Sequence, residues 1–498
     1  MSWSAALPLL IVASSLVTGL VIFFLKEQSV LLRTVLNLCG AGIKLVLVGV
    51  LMWGVYQGQT FEARLPLLPN IELVLHADAL SLLFVSLSTV LWFVTTVYAI
   101  GYLEHSPHRS RFFGFFSLCV TATVGIALAG NLITFLIFYE LLTLATYPLL
   151  MHRGTADSRR AGRIYLTYTL AGGALLLVGV VWLKSLAGPL DFTATGILAG
   201  RTDLNPDTLR WIFLLLIVGF GVKAALVPLH GWLPISMAAP APVSALLHAV
   251  AVVKAGAFGI TRLVYDVYGV EFAASLGVLM PLAIVASFTI VYGSVRALFQ
   301  DKLKTRLAYS TISQVSYIIL GTAIVGPVAT IGGIVHLVHQ GLMKITLFFC
   351  AGNLAETLGI HRVSEMDGVG RRLPKTMAAF TVAALGMIGV PPVAGFISKW
   401  YLGAGALDAN LPWILVVLAA SSALNAAYFL PILYRAWFRP AAIAWQERLE
   451  PGRFETHWML LMPPLVTAAL ALLYGLFANM DGSPLAWARL IAEREYLR

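Results

Sequence analysis

Apolar runs of twenty or so residues follow one another from Ser4 to about residue 478, with polar residues gathered in short stretches between them. Each run is long enough to cross a ~30 Å hydrocarbon core as a helix. The pattern predicts fourteen spans, at 4–24, 29–56, 78–101, 112–130, 131–151, 161–186, 209–230, 241–265, 272–297, 307–325, 328–355, 377–403, 412–437 and 458–478. Strand-like alternation is absent, which excludes a membrane β-barrel and leaves an all-α integral membrane protein. The first run has no basic residues before it and no small-residue cleavage site with a soluble domain behind it. It reads as a span, not a signal peptide. Without a linker or low-complexity segment, residues 1–498 read as a single polytopic membrane domain.

The polar exceptions inside these runs carry the chemistry. A charge near the bilayer centre costs roughly 2.5–3.5 kcal/mol on insertion scales, so such residues face a bundle interior or water. Glu140 lies ten residues into LITFLIFYELLTLATYPLL, and Lys223 is as deep in the seventh run, GFGVKAALVPLHGWLP. One acid and one base at matching depth suit a buried pair. A static salt bridge between helices would need no more, but the series continues. The eighth run holds His248 and Lys254, the eleventh His336, His339 and Lys344 with Gln340 among them, and the twelfth Lys399. On a helix, positions 336, 339, 340 and 344 fall at about 0°, −60°, 40° and 80°, a polar stripe ~12 Å long. Bases spread over four helices with an acid at one end suit a proton path. Lys44, in the second run, has no acid at an obvious partner position and fits a structural or a functional role equally. Asp78 begins the third run as a helix cap would.

An internal echo accompanies the charges. VPLHGW (227–232) resembles PPVAGF (391–396), with Pro228 and Pro392 each three residues before a glycine and four before an aromatic. Pro228 and the pair Pro391–Pro392 interrupt the backbone ladder, free carbonyls and make a joint beside Lys223 and Lys399. By span count the seventh and twelfth helices run in opposite directions and are five apart. Two five-helix units related by inversion, 112–265 and 272–437, are therefore expected, as in transporters with broken helices at the midplane.

Composition agrees: 59% of residues are hydrophobic and 11% charged, against about half and a quarter in soluble domains. The net charge of +10 does not mark a nucleic-acid binder, because it is spread over many short loops. With the N-terminus outside, 20 of the 33 lysines and arginines fall in inward loops, 8 in outward segments, Arg262 among these, and 5 within spans. Arg296, Lys302, Lys304 and Arg306 belong to this positive-inside signal, which puts both termini outside. Cys39, Cys119 and Cys350 are isolated in apolar runs, so no iron–sulfur cluster, structural zinc, disulfide framework or other cofactor is expected, and no metal site is assigned.

FYELLTLATYPL, VKAALVPLHGWLP, APAPVSALLHAVAVVKAG, DKLKTRLAYSTISQ, HLVHQGLMKITLFF and GVPPVAGFISKW, in that order between about 112 and 437, resemble the antiporter-like subunits shared by respiratory complex I and the Mrp-type multisubunit cation/proton antiporters. The resemblance implies a fourteen-helix core with two inverted five-helix repeats, each containing a broken helix, the seventh and the twelfth. It also implies that Glu140 and Lys223 are the paired acid and base, Lys254 the central lysine and Lys399 the terminal ionisable residue. Lys399 stands where the complex I M-type subunit has glutamate, and the chain stops soon after the fourteenth span, without the long extension of L-type and A-type subunits. Both features point to the Mrp D-type subunit. The segment around His248 and Lys254 departs towards the A-type pattern. Gln340 occupies a place where many relatives have histidine, with His339 one position earlier, which implies a re-routed relay on the eleventh helix.

The expected function is proton translocation within a multisubunit exchanger of protons for Na+ or another monovalent cation, in a bacterial inner membrane and among other membrane subunits. The same module inside an NADH dehydrogenase, a membrane hydrogenase or a carbon-uptake complex would carry the same residues.

Overall fold

A computed structural model describes residues 2–496 apart from 70, 104, 105, 442–444 and 446–454. Arg448, Arg453 and Arg498, counted among the basic residues above, lie outside the described residues. The first six spans are α1 (Trp3–Phe23), α2 (Val30–Tyr56), α3 (Ala79–Tyr102), α4 (Arg109–Ala127), α5 (Leu132–Leu150) and α6 (Ala156–Ala187). The seventh is α7 (Pro206–Ala224), followed by an irregular turn and the short α8 (Trp232–Ile235). The eighth is α9 (Ala241–Ala249) and α10 (Val252–Arg262), extended by a π-helical turn over Leu263–Tyr268. After the small α11 (Val270–Ser275) come α12 (Leu279–Leu298), α13 (Leu303–Ala323) and α14 (Pro327–Leu358). The short α15 (Val369–Arg372) leads to α16 (Pro374–Ile388) and α17 (Ala394–Asp408), the two halves of the twelfth span. Next are α18 (Trp413–Phe438), α19 (Trp458–Leu476) and a further helix, α20 (Pro484–Tyr496). Eleven of these stretches are long and apolar enough to cross a membrane as they stand. The charged seventh, the polar tenth (α13) and the divided twelfth complete fourteen.

Three features depart from the expected pattern. A two-stranded antiparallel hairpin, β1 (Phe61–Leu68) and β2 (Ile71–Ala77), fills the connection between α2 and α3. Its strands are short and β1 is mostly exposed, too little alternation to stand out between long helices. The hairpin is pinned at Gly130, where a Cβ would lie 2.7 Å from a Val74 methyl, and by Arg64 reaching Glu72 and Asp191. The eighth span breaks at Val250–Ala251, whose backbone leaves the helical region without any proline. Arg262 is not in an outward segment. It is 1% exposed in the eighth span, paired with Asp78 (2.7 Å) and Asp266 (2.9 Å) and bonded to Ser81. Asp78 also caps α3 through the Ser81 N–H at 2.6 Å, as its position suggested.

Burial sorts the helices into shells. α10 and α14 are enclosed along their lengths, while α1, α2, α6 and α18 turn leucines, valines and tryptophans outward, as lipid-facing helices do. α14 runs through the middle and packs on α3, α9, α13, α16, α17 and α19. A 32-residue enclosed helix bearing two histidines and a lysine can only be an axis lined with polar chemistry.

Candidate functional site

The first break ends α7 immediately after Lys223. Ala225 takes a left-handed conformation (φ 57°), and the last carbonyls of α7 find partners outside the helix. Tyr139 Oη donates to Gly219 O at 3.2 Å and Trp232 Nε1 to Val222 O at 2.7 Å. Lys223 therefore sits at the negative end of a helix dipole, where a cation is favoured. Its Nζ donates to the Tyr139 carbonyl and lies 3.3 Å from the centre of the Tyr139 ring. Glu140 follows Tyr139 on α5, but its Oε1 is buried without a hydrogen-bond partner, and among the described residues no ion pair joins it to Lys223. The carboxyl group points instead into α6, where a Cβ on Gly173 would lie 2.7 Å from Glu140 Cδ. Acid and base are neighbours held apart by one tyrosine.

The second break repeats the device. Lys399, on α17, donates to the free carbonyls at the end of α16, Ile388 O at 2.7 Å and Met387 O at 3.1 Å, and to Ser422 at 2.9 Å. Again an ammonium group occupies the C-terminal end of a half-helix. Gly389, in the left-handed region (φ 96°), lets the lysine stem pass, since a Cβ there would stand 2.8 Å from Lys399 Cδ. A cavity of about 600 Å³, lined by Lys399, Gly389, Phe396 and Ser422, opens beside it. Both breaks carry a cis X–Pro bond, Val227–Pro228 and Pro391–Pro392.

Between the breaks lie the remaining bases, all fully buried. Lys254 Nζ donates to Leu337 O at 2.8 Å, on α14 between His336 and His339. His336 Nδ1 meets Ser398 Oγ at 2.8 Å and its ring lies on Tyr317, whose other neighbour is Lys399 Nζ, 5.5 Å from the ring centre. Lys254, His336 and Lys399 thus form one line through Tyr317 and Ser398. Gly256, two residues after Lys254, joins this line to the first break. A Cβ there would fall 2.2 Å from Ala224 N, so α10 touches the α7 backbone at Lys223 as closely as glycine allows. His248 and Lys344 leave the line. His248 stacks on Phe348, and Lys344 donates to Ser310 Oγ and to Leu307 O at 3.2 Å on α13. The polar stripe on α14 is real but serves two directions, with His336 and His339 towards Lys254 and Lys344 towards α13.

Many polar atoms on these lines find no hydrogen-bond partner among the described residues: Glu140 Oε1, His336 Nε2, both nitrogens of His248 and His339, the amides of Gln314 and Gln340, and Tyr317 Oη. A buried polar atom without a protein partner calls for water, and water beside bases is a medium for proton transfer. Tyr139, Tyr317, Ser398 and the glycines 173 and 256 escaped sequence reasoning, because neutral residues in apolar runs carry no signal of their own. Cys119 and Cys350 are buried apart from one another and Cys39 is exposed on α2. Among the described residues no three His, Cys, Asp or Glu side chains stand in an arrangement that could hold a metal.

Residues 129–425 match the family described as NADH:quinone oxidoreductase/Mrp antiporter, TM, and residues 69–113 match the complex I chain 5 N-terminus. NADH-quinone oxidoreductase subunit N of Desulforudis audaxviator is 36% identical over 76% of this chain and 77% of its own length. The D-type subunit of the Na(+)/H(+) antiporter of Bacillus subtilis is 27% identical over 94% and 93%. Other curated relatives are longer, and this chain spans 35% to 54% of them. Among solved structures, a chain of the Mrp complex from Dietzia sp. DQ12-45-1b superposes with a TM-score of 0.88 at 22% identity, covering 100% of this chain and 98% of that one. The matched region contains both breaks and every base of the axis, and the chain belongs to the NADH:quinone oxidoreductase/Mrp antiporter family of multi-pass membrane subunits.

Proposed function

We propose that this chain is the proton-translocating subunit of a multisubunit Na+/H+ antiporter, carrying protons from Glu140 and Lys223 through Lys254 and His336 to Lys399, with His339 beside the line and His248 and Lys344 on a side branch. The observation that carries this reading is the repeated placement of a lysine at a half-helix C-terminus, with a buried lysine and histidine between. Each ammonium is held by carbonyl oxygens and a dipole rather than by a carboxylate, so it can give up its proton without leaving an unpaired anion behind. Units 112–265 and 272–437 would then be the two inverted halves of the path, with both termini on the outer side. The membrane potential supplies about 2.3 kcal/mol per charge per 100 mV. In inverted vesicles holding the assembled complex, Glu140→Ala and Lys223→Ala should each abolish cation-coupled proton movement while assembly persists. Near-wild-type transport by either would make the pair a helix staple.

A second reading, a pump module in a redox assembly, is favoured by the 36% identity with the NADH-quinone oxidoreductase relative. Purification of the native complex with identification of its subunits separates the two.

A further inference from the structure

The proton path leaves one buried lysine unused. Lys44 is fully buried in the middle of α2, and its only hydrogen bond among the described residues is to Ser15 Oγ on α1, at 2.5 Å. Its one other polar contact is the Trp92 ring on α3, 5.0 Å away. Lys223, Lys254, Lys344 and Lys399 each reach a backbone carbonyl, and Lys44 does not. Among the described residues Ser15 Oγ is the one hydrogen-bond acceptor its three N–H bonds have, a costly state for a cation deep in a protein.

The surroundings say where the missing partners are. Arg33, Asn37 and Lys44 lie on one stripe of α2, at about 0°, 40° and 20°. Arg33, at the end of the helix, donates to Ser110 Oγ at 2.9 Å. Asn37, ~10 Å before Lys44 along the axis, is fully buried, and among the described residues neither its amide nitrogen nor its oxygen has a partner. Ser117 on α4 and Thr96 on α3 are likewise buried and unpartnered, and Ser15 passes its contact on to Thr121 at 2.8 Å. Beyond Lys44 the same helices turn apolar, with Val48, Leu51 and Val55 on α2 and Leu7 and Ile11 on α1. The polar atoms line up from Arg33, itself buried and also bonded to Glu27 O at 3.3 Å, to Lys44.

We propose that Lys44 is a proton-exchanging site at the blind end of a hydrated column opening at the Arg33 end, separate from the entrances of the central axis. Water at the foot of the column takes the ammonium proton as hydronium, leaving a neutral amine that the next proton restores. Lys44 touches Ser15 on α1 and the Trp92 ring on α3, and Ser15 bonds Thr121 on α4; Ser117 lies one turn from Thr121, and Thr89 and Thr96 lie one turn either side of Trp92. None is an acid or a histidine, and the nearest charge on its own helix is Arg33. α3 packs on α2 on one side and on α9 and α14 on the other, and among the described residues its Trp92 Nε1 and Thr89 Oγ1 have no hydrogen-bond partner.

The test uses sealed vesicles of the assembled complex in which Cys39, Cys119 and Cys350 are alanine. Lys44→Cys should react with a small charged thiol reagent from the face that also labels Lys26→Cys, at least about tenfold faster than from the other, because a thiolate forms only where water reaches it. Adding Asn37→Leu should slow that reaction about tenfold by plugging the column. Absence of labelling from both faces, or a rate indifferent to Asn37→Leu, would each overturn the proposal. Transport surviving Glu140→Ala would instead defeat the function proposed above, leaving the labelling result untouched.

Discussion

Lys399 shows how much one side chain's contacts decide. Its ammonium bonds the carbonyls of Met387 and Ile388 and the Ser422 hydroxyl, all acceptors. Alanine removes the titrating group, and Lys399→Ala should stop proton transport. Glutamate can bond those carbonyls only when protonated, so Lys399→Glu should keep a fraction of transport with its optimum moved to lower pH. A pH series of cation-induced dequenching checks both; an alanine variant equal to wild type throughout would end the relay before α17. His152, outside the membrane spans, bears on stability. Burial and the neighbouring Arg111, His108 and Arg153 push its imidazole down to about 4. A histidine lowered in the folded state stabilises fully above its unfolded value of about 6.5 and loses that contribution as pH falls towards 4. The drop in melting temperature between pH 7 and 4.5 should therefore be shallower in His152→Gln. At this scale the charged residues were legible in the sequence, because a charge in an apolar run is costly and conspicuous. Their partners were not, since Tyr139, Tyr317 and the carbonyls they work with are ordinary residues in a helix.

At the scale of elements, proline announced two of the three breaks. Pro228 and Pro391–Pro392 mark the seventh and twelfth helices, but the break at Val250–Ala251 has no local signature and lies where the span passes from α9, packed on α14, to α10, packed on α7 and α13. The hairpin was hidden for the opposite reason, being too short and too exposed beside long apolar runs. Gly256 was equally silent, though it sets the approach of α10 to α7. A Cβ at Gly256 meets backbone, which cannot swing aside, so Gly256→Ala should cost about 1–3 kcal/mol of stability. It should also slow transport by separating Lys223 from Lys254. Gly42, with open space around its Cβ position, is the control, since alanine there should be neutral or stabilising. Thermal unfolding of the solubilised complex, alongside transport, checks both; a Gly256→Ala variant as stable and active as Gly42→Ala would show that the close approach is dispensable.

Over the whole molecule, span count and enclosure agree: the chain makes fourteen spans, and the enclosed α14 holds three of the buried bases, His336, His339 and Lys344. The count came from hydrophobic length alone, whereas the division of the axis into a line and a side branch needed three-dimensional packing, because helical angles on α14 do not say which neighbour each face meets. In the proposed function one continuous path joins the two breaks through Lys254. The most direct measurement is proton movement by sealed vesicles of the assembled complex carrying Lys254→Met, which keeps the bulk of the side chain and removes its titrating group. The account predicts normal assembly with transport reduced by about a hundredfold or more, the contribution of a positioned proton carrier. Transport at the wild-type rate would contradict it, leaving the two breaks as separate devices with no proton path between them.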